Sequence, residues 1–318
     1  MSDRYGLPYK GSKNAIAEWI VDNLPTSDVF CDIFGGGGAI THRAMLSGKY
    51  RQFILNDIDA RLPVLFKDCA YGKYTTSNHK EWISREEFNL KKDEDAYIAL
   101  CWSFGNNGKD YAYGKDIEEY KKALHYAVFF NDLTLMEQQG FKLNLSDETD
   151  IYKRYLWYAK EIKNTKHNML ETYTRLSAFE RLQSLQSLQS LQSLQTYGVS
   201  YDRVPIPKGA LIYCDIPYKG TNCGKYDGFN HDAFYSWANA QDNIYISEYS
   251  MPSDFIEVTN IEKVVLSSND GNDYKAIEKI FTNRRTYEKL SDHVKQRIAI
   301  DTSEQLSIFD LGFNPYQE

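Results

Sequence analysis

The sequence has 318 residues, of which 42% are hydrophobic and 25% charged, and its net charge at pH 7 is −7. This length allows one large domain, or a core domain with a smaller insertion. No apolar run approaches the ~18 residues of a membrane span, and residues 1–10 lack the pattern of a secretion signal, so we expect a soluble, cytoplasmic protein.

Cysteine and histidine usage does not indicate a metal site. The five cysteines form no Cys-x-x-Cys pair and the six histidines are scattered, which argues against bound zinc. The net acidity argues mildly against a nucleic-acid-binding protein, although a local positive patch would be enough for binding.

Short β-rich runs alternate with helical patterns along much of the chain. The predicted strands are Val29–Phe34, Gln52–Asp57, Ala210–Ile216, Asn243–Tyr249 and Lys263–Ser268. The predicted helices are Lys13–Asn23, Ala39–Ser47, Ala60–Tyr71, Asp232–Ala240 and Tyr274–Phe281. This alternation predicts an α/β fold with a mostly parallel sheet and helices on both faces. Ligands of such sheets bind beyond the carboxyl ends of the strands, where Asp32, Asp57 and Asp215 fall.

A polar, mostly helical stretch interrupts this alternation after residue 72. It ends in a tandem Leu-Gln-Ser repeat, Leu182–Gln195, whose three-residue period turns about 300° per step and cannot keep its leucines on one helix face. The repeat fits the end of a long helix better than a flexible connector. We therefore predict a core built from residues 1–72 and 196–318, with residues 73–195 inserted into it.

The run from Asp32 to Gly38 carries a glycine-rich turn between a predicted strand and a predicted helix. Glycines there allow a tight turn and close approach of the backbone to a nucleoside cofactor. Thr41 stands where the dinucleotide fingerprint needs a third Gly or Ala, so the match to NAD binding is incomplete. Asp57, about 20 residues further on, suits the ribose hydroxyls, although a strand-end turn would also favour an acid there.

The second informative run is Asp215-Ile216-Pro217-Tyr218 at the end of a predicted strand. A carboxylate and a backbone carbonyl that each accept one N–H can favour the pyramidal form of an exocyclic amine, whose lone pair then points at a methyl donor. A tyrosine face holds the plane of the base, and proline fixes the turn. The remaining catalytic task is alignment of nitrogen and methyl group, which requires no metal.

With these two runs in this order, the chain resembles the DNA adenine-N6 methyltransferases whose glycine motif precedes the catalytic motif. The resemblance implies a Rossmann-like catalytic domain, S-adenosylmethionine as cofactor, and an inserted target-recognition domain. It also implies a catalytic tetrad, Asp215, Ile216, Pro217 and Tyr218. The family usually has Asp-Pro-Pro-Tyr or Asn-Pro-Pro-Tyr, so Ile216 keeps the expected carbonyl but reduces the stiffness of the turn.

The resemblance assigns further residues to the cofactor. Tyr9 and Lys13 belong to a motif that closes over the methionine end of S-adenosylmethionine, and Lys13 would face its carboxylate. Asp32 corresponds to the acid near the donor's amino group. The cofactor-binding residues implied by the resemblance are Tyr9, Lys13, Asp32, Phe34, Gly36, Gly38, Asp57, Ser200, Tyr201 and Asp215.

The insertion then resembles the region that recognises double-stranded DNA. Its turn-rich loop offers Asn106, Asn107, Lys109, Tyr111 and Tyr113 for contact with DNA. Asparagine can read adenine in the major groove and lysine can contact phosphate. Because the target amine is inaccessible in a duplex, we expect the enzyme to flip the adenine out.

The run Gln305–Phe309 resembles the pentapeptide by which bacterial proteins bind the DNA polymerase sliding clamp, although a last strand of the sheet explains it better. Two other functions stay open at this level. One is methylation of a protein amide nitrogen, and the other is a catalytically weakened protein that binds DNA or the clamp. By analogy with the family, we expect a nucleoid-associated enzyme with a restriction-protection or phage-type role.

Overall fold

We describe the fold from a computed structural model of the chain. The described residues are 5–162, 169–218, 228–266, 273–292, 294–296 and 298. The strands are β1 Val29–Asp32, β2 Gln52–Asn56, β3 Leu194–Tyr197, β4 Leu211–Asp215, β5 Ile244–Glu248, β6 Phe255–Leu266 and β7 Asp273–Asn283. Within these residues the strands form one sheet in the order β3-β2-β1-β4-β5-β7-β6.

Strands β1 to β5 are parallel, and β7 runs antiparallel to both β5 and β6. All residues of β1 and β5 are buried, as expected for parallel strands that are covered on both faces. The predicted mostly parallel α/β sheet is therefore confirmed.

The helices are α1 Ala17–Asn23, α2 Ala39–Ser47, α3 Arg61–Ala70, α4 Arg85–Lys91, α5 Ala96–Cys101, α6 Glu118–Phe130, α7 Thr134–Gln138, α8 Ile151–Glu161, α9 Glu171–Glu180, α10 Gln189–Gln192, α11 His231–Asn239 and α12 Arg284–Lys289. Side chains cap several of them. Asp95 accepts a hydrogen bond from the backbone N–H of Ile98 in α5, and Asn230 accepts one from Ala233 in α11. Among the described residues, no helix combines the length and the apolar character that crossing a membrane requires.

The prediction of a helix over Tyr274–Phe281 is wrong, because this segment lies within β7. Its Ala, Glu and Lys residues favour a helix by only a few tenths of a kcal/mol each (about 0.7 at most). Pairing with β5 on one side and β6 on the other outweighs that preference.

The Leu-Gln-Ser repeat forms neither one long helix nor an unstructured connector. It begins in a 3₁₀ helix, Arg181–Ser187, continues through α10, and ends in β3, which pairs with β2 at the edge of the sheet. Leu182, Leu185 and Leu191 are buried. Short segments of different geometry let these leucines face the core although the period does not fit one helix.

The core has two parts, one on each face of the sheet. Phe30 and Tyr213 point to one face and join a cluster that also contains Trp102 and other side chains of the inserted region. Cys31 and Cys214 point to the opposite face. The predicted domain boundary at residues 195 and 196 falls inside β3, and the division into domains stays a prediction.

Candidate active site

A tight turn joins β1 to α2 and forms the floor of the candidate cofactor site. Gly36 and Gly38 have φ angles of +50° and +70°, which favour glycine. A Cβ atom on Gly38 would lie 2.5 Å from the ring of Phe66, so a side chain there would also clash. The N–H of Gly35 donates to the backbone oxygen of Asn56 over 2.8 Å, which fixes the turn against β2.

The N-terminal segment lies across this turn. The N–H of Leu7 donates to the backbone oxygen of Gly37 over 2.7 Å, and the N–H of Gly6 donates to His42 Nδ1 over 3.0 Å. The ring of Tyr9 lies 3.0 Å from the position that a Cβ of Gly36 would occupy. The structure thus brings Tyr9 to the glycine turn, and its contact with the cofactor stays a prediction.

Asp32, the last residue of β1, is 1% exposed. Thr41 Oγ1 donates to its Oδ2 over 2.8 Å, whereas Asp32 Oδ1 has no hydrogen-bond partner among the described residues. Burial raises the pKa of Asp32 to about 7, with the Thr41 hydrogen bond opposing and the charge of Asp215 reinforcing the shift. An unsatisfied buried carboxylate oxygen is suited to a cationic ligand group.

Asp57 follows β2 and is also 1% exposed. Its Oδ2 accepts a hydrogen bond of 2.9 Å from the N–H of Gly36, and its Oδ1 accepts one of 2.9 Å from the N–H of Asp59. Asp57 therefore braces the glycine turn, a contact that the sequence did not predict. The next side chain, Ile58, is 56% exposed and offers an apolar surface beside the turn.

Aromatic side chains also gather beyond the carboxyl ends of the strands, beside the glycine turn. Asn56 exchanges hydrogen bonds with Val199, and this pair holds the following Ser200 and Tyr201 beside β2. The rings of Phe34 and Tyr201 stack with centroids 5.7 Å apart. This pairing suits a flat heterocycle near the glycine turn.

The predicted catalytic tetrad begins at the end of β4, the strand next to β1. Lys13 Nζ lies 2.8 Å from Asp215 Oδ1 and 4.4 Å from the centroid of the Tyr218 ring. Burial works to lower the pKa of Lys13, but the charges of Asp215 and Glu278 outweigh it and raise that pKa. Lys13 was assigned to the carboxylate of the cofactor, and its contact with the tetrad is an additional finding.

The rest of the tetrad is held from three sides. The side chain of Ile216 is buried on the second face of the sheet. The oxygen of Pro217 accepts a hydrogen bond of 2.8 Å from His231 Nε2 at the start of α11. The hydroxyl of Tyr218 donates to Glu278 on β7, and burial raises the pKa of that hydroxyl.

Sequence reasoning missed Thr41, His231 and Glu278. In the sequence Thr41 is a departure from the dinucleotide fingerprint, and in the structure its hydroxyl holds Asp32. Glu278 was hidden because its segment was predicted to be helical. If this segment is assigned as a strand, an acid among apolar neighbours indicates a buried carboxylate that needs a partner.

The predicted DNA-contact loop forms a short hairpin closed by a bridge between Ser103 and Tyr111. Lys109 is exposed, whereas Asn106 and Asn107 bond within the loop: Asn106 Nδ2 donates to Leu100, and Asn107 Oδ1 accepts from the N–H of Lys109. These two side chains support the shape of the loop.

Tyr111 and Tyr113 are 7% and 2% exposed. The hydroxyl of Tyr111 donates to the backbone oxygen of Ile83, and that of Tyr113 donates to Thr172. Because their rings are packed inside the protein, their position does not fit the predicted direct contact with DNA. Both tyrosines instead support the loop from below.

The hairpin borders an open cavity of about 620 Å³. Three basic side chains line it, those of Arg85, Lys92 and Lys109. Phe104, next to the closing bridge of the hairpin, is 68% exposed. The predicted clamp motif, Gln305–Phe309, lies outside the described residues. In the described part of the chain, His, Cys, Asp and Glu side chains form no cluster of three or more that could hold a metal ion.

A glycine turn and an Asp-Ile-Pro-Tyr run beyond the carboxyl ends of neighbouring strands in a mostly parallel sheet agree with an α/β methyltransferase. Residues 9–291 match the D12 class N6 adenine-specific DNA methyltransferases, and the chain belongs to this family. It is also similar to the Retron Ec67 DNA adenine methylase of Escherichia coli, at 24% identity over 321 residues that cover 97% of this chain and 94% of the relative. Of the functions that the sequence left open, the comparisons support DNA adenine methylation.

Proposed function

We propose that the protein transfers a methyl group from S-adenosylmethionine to the N6 amine of an adenine flipped out of double-stranded DNA. The observation that carries this proposal is the pairing of β1 with β4, which puts the glycine turn and the tetrad at the same edge of the sheet. A methyl donor bound above the glycine turn and a base held against the tetrad would share one cleft.

The residues around the glycine turn suit S-adenosylmethionine. The unsatisfied Asp32 Oδ1 suits the donor's ammonium group, and Asp57 suits the ribose hydroxyls. Phe34 and Tyr201, with the exposed Ile58, provide surfaces for its adenine. When bound, this cofactor supplies the methyl group as part of a sulfonium ion.

At the tetrad, Asp215 and the carbonyl of Ile216 would each accept one N–H of the target amine. Both acceptors stabilise the positive charge that develops on nitrogen as the new bond forms. The ring of Tyr218 would stack on the base and hold its plane. Lys13 lies over this ring and pairs with Asp215, so the entering amine has to take over both contacts.

The hairpin and its basic cavity are our proposed contact with DNA. Lys109 is exposed and, with Lys92, suits the phosphate backbone, whereas Arg85 is paired with Glu118 over 2.6 Å. The whole loop would form the contact surface for DNA. Asn106 and Asn107 maintain its shape, and the two buried tyrosines support it from below. The clamp contact through Gln305–Phe309 stays a prediction from the sequence alone.

Methylation-aware sequencing of DNA from cells that express the protein tests this function and gives the recognition sequence. We expect N6-methyladenine at one motif in cells with the wild-type protein and none with Asp215→Ala. The variant should still bind S-adenosylmethionine in calorimetry, because Asp32 and the glycine turn are intact. Loss of cofactor binding together with activity would contradict the role that we assign to Asp215.

A further inference from the structure

Glu278 is a buried acid that reaches the tetrad from the antiparallel part of the sheet. It lies on β7, its side chain is fully buried, and the proposed reaction does not use it. A buried carboxylate is costly unless cations and hydrogen-bond donors compensate its charge. Here the hydroxyl of Tyr218 donates to Glu278 Oε1, and Lys13 Nζ lies 3.6 Å from the same oxygen.

Lys13 is shared between two carboxylates in front of the tetrad. Its Nζ lies 2.8 Å from Asp215 and 3.6 Å from Glu278, above the ring of Tyr218. A target amine needs the carboxylate of Asp215 and the face of Tyr218, which are the two contacts that Lys13 now makes. With Glu278 already within reach, the ammonium can yield Asp215 to the amine and keep an anionic partner.

Glu278 also sets the direction of the Tyr218 ring. The hydroxyl at the far end of the ring is held by Glu278, and the ring makes an edge-to-face contact with Tyr249 at a centroid distance of 4.5 Å and an angle of 66°. A ring that is fixed at its hydroxyl keeps its face toward the place of the target base. Stacking on a fixed ring costs less ordering when the base arrives.

We propose that Glu278 is a positioning residue for methyl transfer, which fixes the ring of Tyr218 and retains Lys13 when the target amine takes over Asp215. This inference rests on the proposed roles of Asp215 and Tyr218. It assigns a function to a residue of β7, outside both sequence motifs of the site.

The test is a double-mutant cycle of Glu278→Gln and Tyr218→Phe in the full-length protein. Single-turnover methylation of a duplex that carries the recognition sequence should slow about tenfold in each single variant, the scale of one charge-assisted hydrogen bond. The double variant should be slower than Tyr218→Phe by clearly less than tenfold, because Glu278→Gln weakens the same hydrogen bond that Tyr218→Phe removes, and only the ion pair with Lys13 is lost in addition.

A matched control is available nearby on the hairpin of β6 and β7. Glu257 on β6 pairs with Lys279 on β7 over 2.7 Å. Lys279 is the residue after Glu278, and successive side chains of a strand point to opposite faces, so this pair lies away from the tetrad. Glu257→Gln removes a carboxylate from the same two strands and should leave the methylation rate unchanged. An equal loss of rate in this control would show a general effect on the hairpin and overturn the proposal.

A binding measurement adds a readout that does not depend on turnover. With S-adenosylhomocysteine present, the Kd is measured for the duplex and for the same duplex with an abasic site at the target position. Glu278→Gln should weaken binding of the intact duplex about tenfold, the scale of one charge-assisted hydrogen bond. It should leave binding of the abasic duplex unchanged, because only the intact duplex places a base on Tyr218. Equal weakening of both complexes would overturn the proposal.

Tyr218→Phe keeps the inference testable even if Glu278→Gln does not fold, because it removes the hydrogen bond that Glu278 accepts and leaves the buried acid in place. Methylation at the wild-type rate by Tyr218→Phe would overturn it, as would additive losses in the cycle. Failure of the proposed function would look different: the wild-type protein would not methylate adenine, or Asp215→Ala would remain active.

Discussion

Asp32→Asn should stabilise the protein at alkaline pH while it weakens cofactor binding. The carboxylate is buried and one of its oxygens has no partner among the described residues, so its ionisation in the folded state is unfavourable. An Asn side chain keeps an oxygen that can accept the hydrogen bond from Thr41. The substitution therefore removes the charge and retains the neighbouring contact.

The magnitude follows from the pKa of Asp32, which burial raises from 3.8 to about 7 in the folded chain. Because the pKa of Asp32 is higher in the folded chain, its carboxyl group contributes to the free energy of unfolding of the wild-type protein at low pH. This contribution is fully present below pH 4 and is lost as the pH rises to about 7. One pKa unit is worth about 1.4 kcal/mol, so the full effect is about 4 kcal/mol, of which about 3 falls between pH 5 and 8.

The assay is urea unfolding of both proteins at several pH values from 5 to 9 without cofactor. The difference in unfolding free energy, variant minus wild type, should increase by about 3 kcal/mol between pH 5 and 8 and then become constant. S-adenosylmethionine should bind the variant at least about tenfold more weakly, because the carboxylate that we propose as the partner of its ammonium is gone. A stability difference that does not change with pH would refute this reasoning.

Three further predictions concern the turn, the aromatic pair and the hairpin. Gly38→Ala should lower stability by about 2 kcal/mol or more in urea unfolding, through positive φ and the clash with Phe66. Gly48→Ala, which has the same φ of +70° in open surroundings, should cost about half as much. Tyr201→Ala should weaken S-adenosylmethionine binding about tenfold in calorimetry. Lys109→Gln should weaken DNA binding and reduce its salt slope by about one.

The sequence was informative wherever local pattern and tertiary environment agree. Ala39–Ser47 was predicted as a helix and α2 has these bounds, because Gly38 and Gly48 on either side adopt left-handed φ angles of +70° that end the helix. The predicted strand Ala210–Ile216 contains β4, whose apolar run is typical of a strand buried on both faces. The turn and the tetrad follow these strands directly, so their placement at one edge could be expected from the chain alone.

Features that depend on distant segments could not be read in this way. The pattern of β7 resembles a helix, and only its pairing with β5 and β6 makes it a strand. The contact of Glu278 with Tyr218 joins residues 60 positions apart. The burial of Tyr111 beneath the hairpin likewise depends on the backbone oxygen of Ile83. None of these partners leaves a periodic signal in the sequence.

The departure of the tetrad from the family pattern can be understood in the same terms. A second proline would stiffen the turn after Asp215 by restricting its own φ angle. Here the side chain of Ile216 is 2% exposed and packed against the second face of the sheet, which restricts the same residue by burial. His231 Nε2 donates to the oxygen of Pro217 and fixes the next peptide unit. Tertiary packing thus supplies restraint that the family usually obtains from local sequence, and Ile216 still presents its backbone carbonyl at this position.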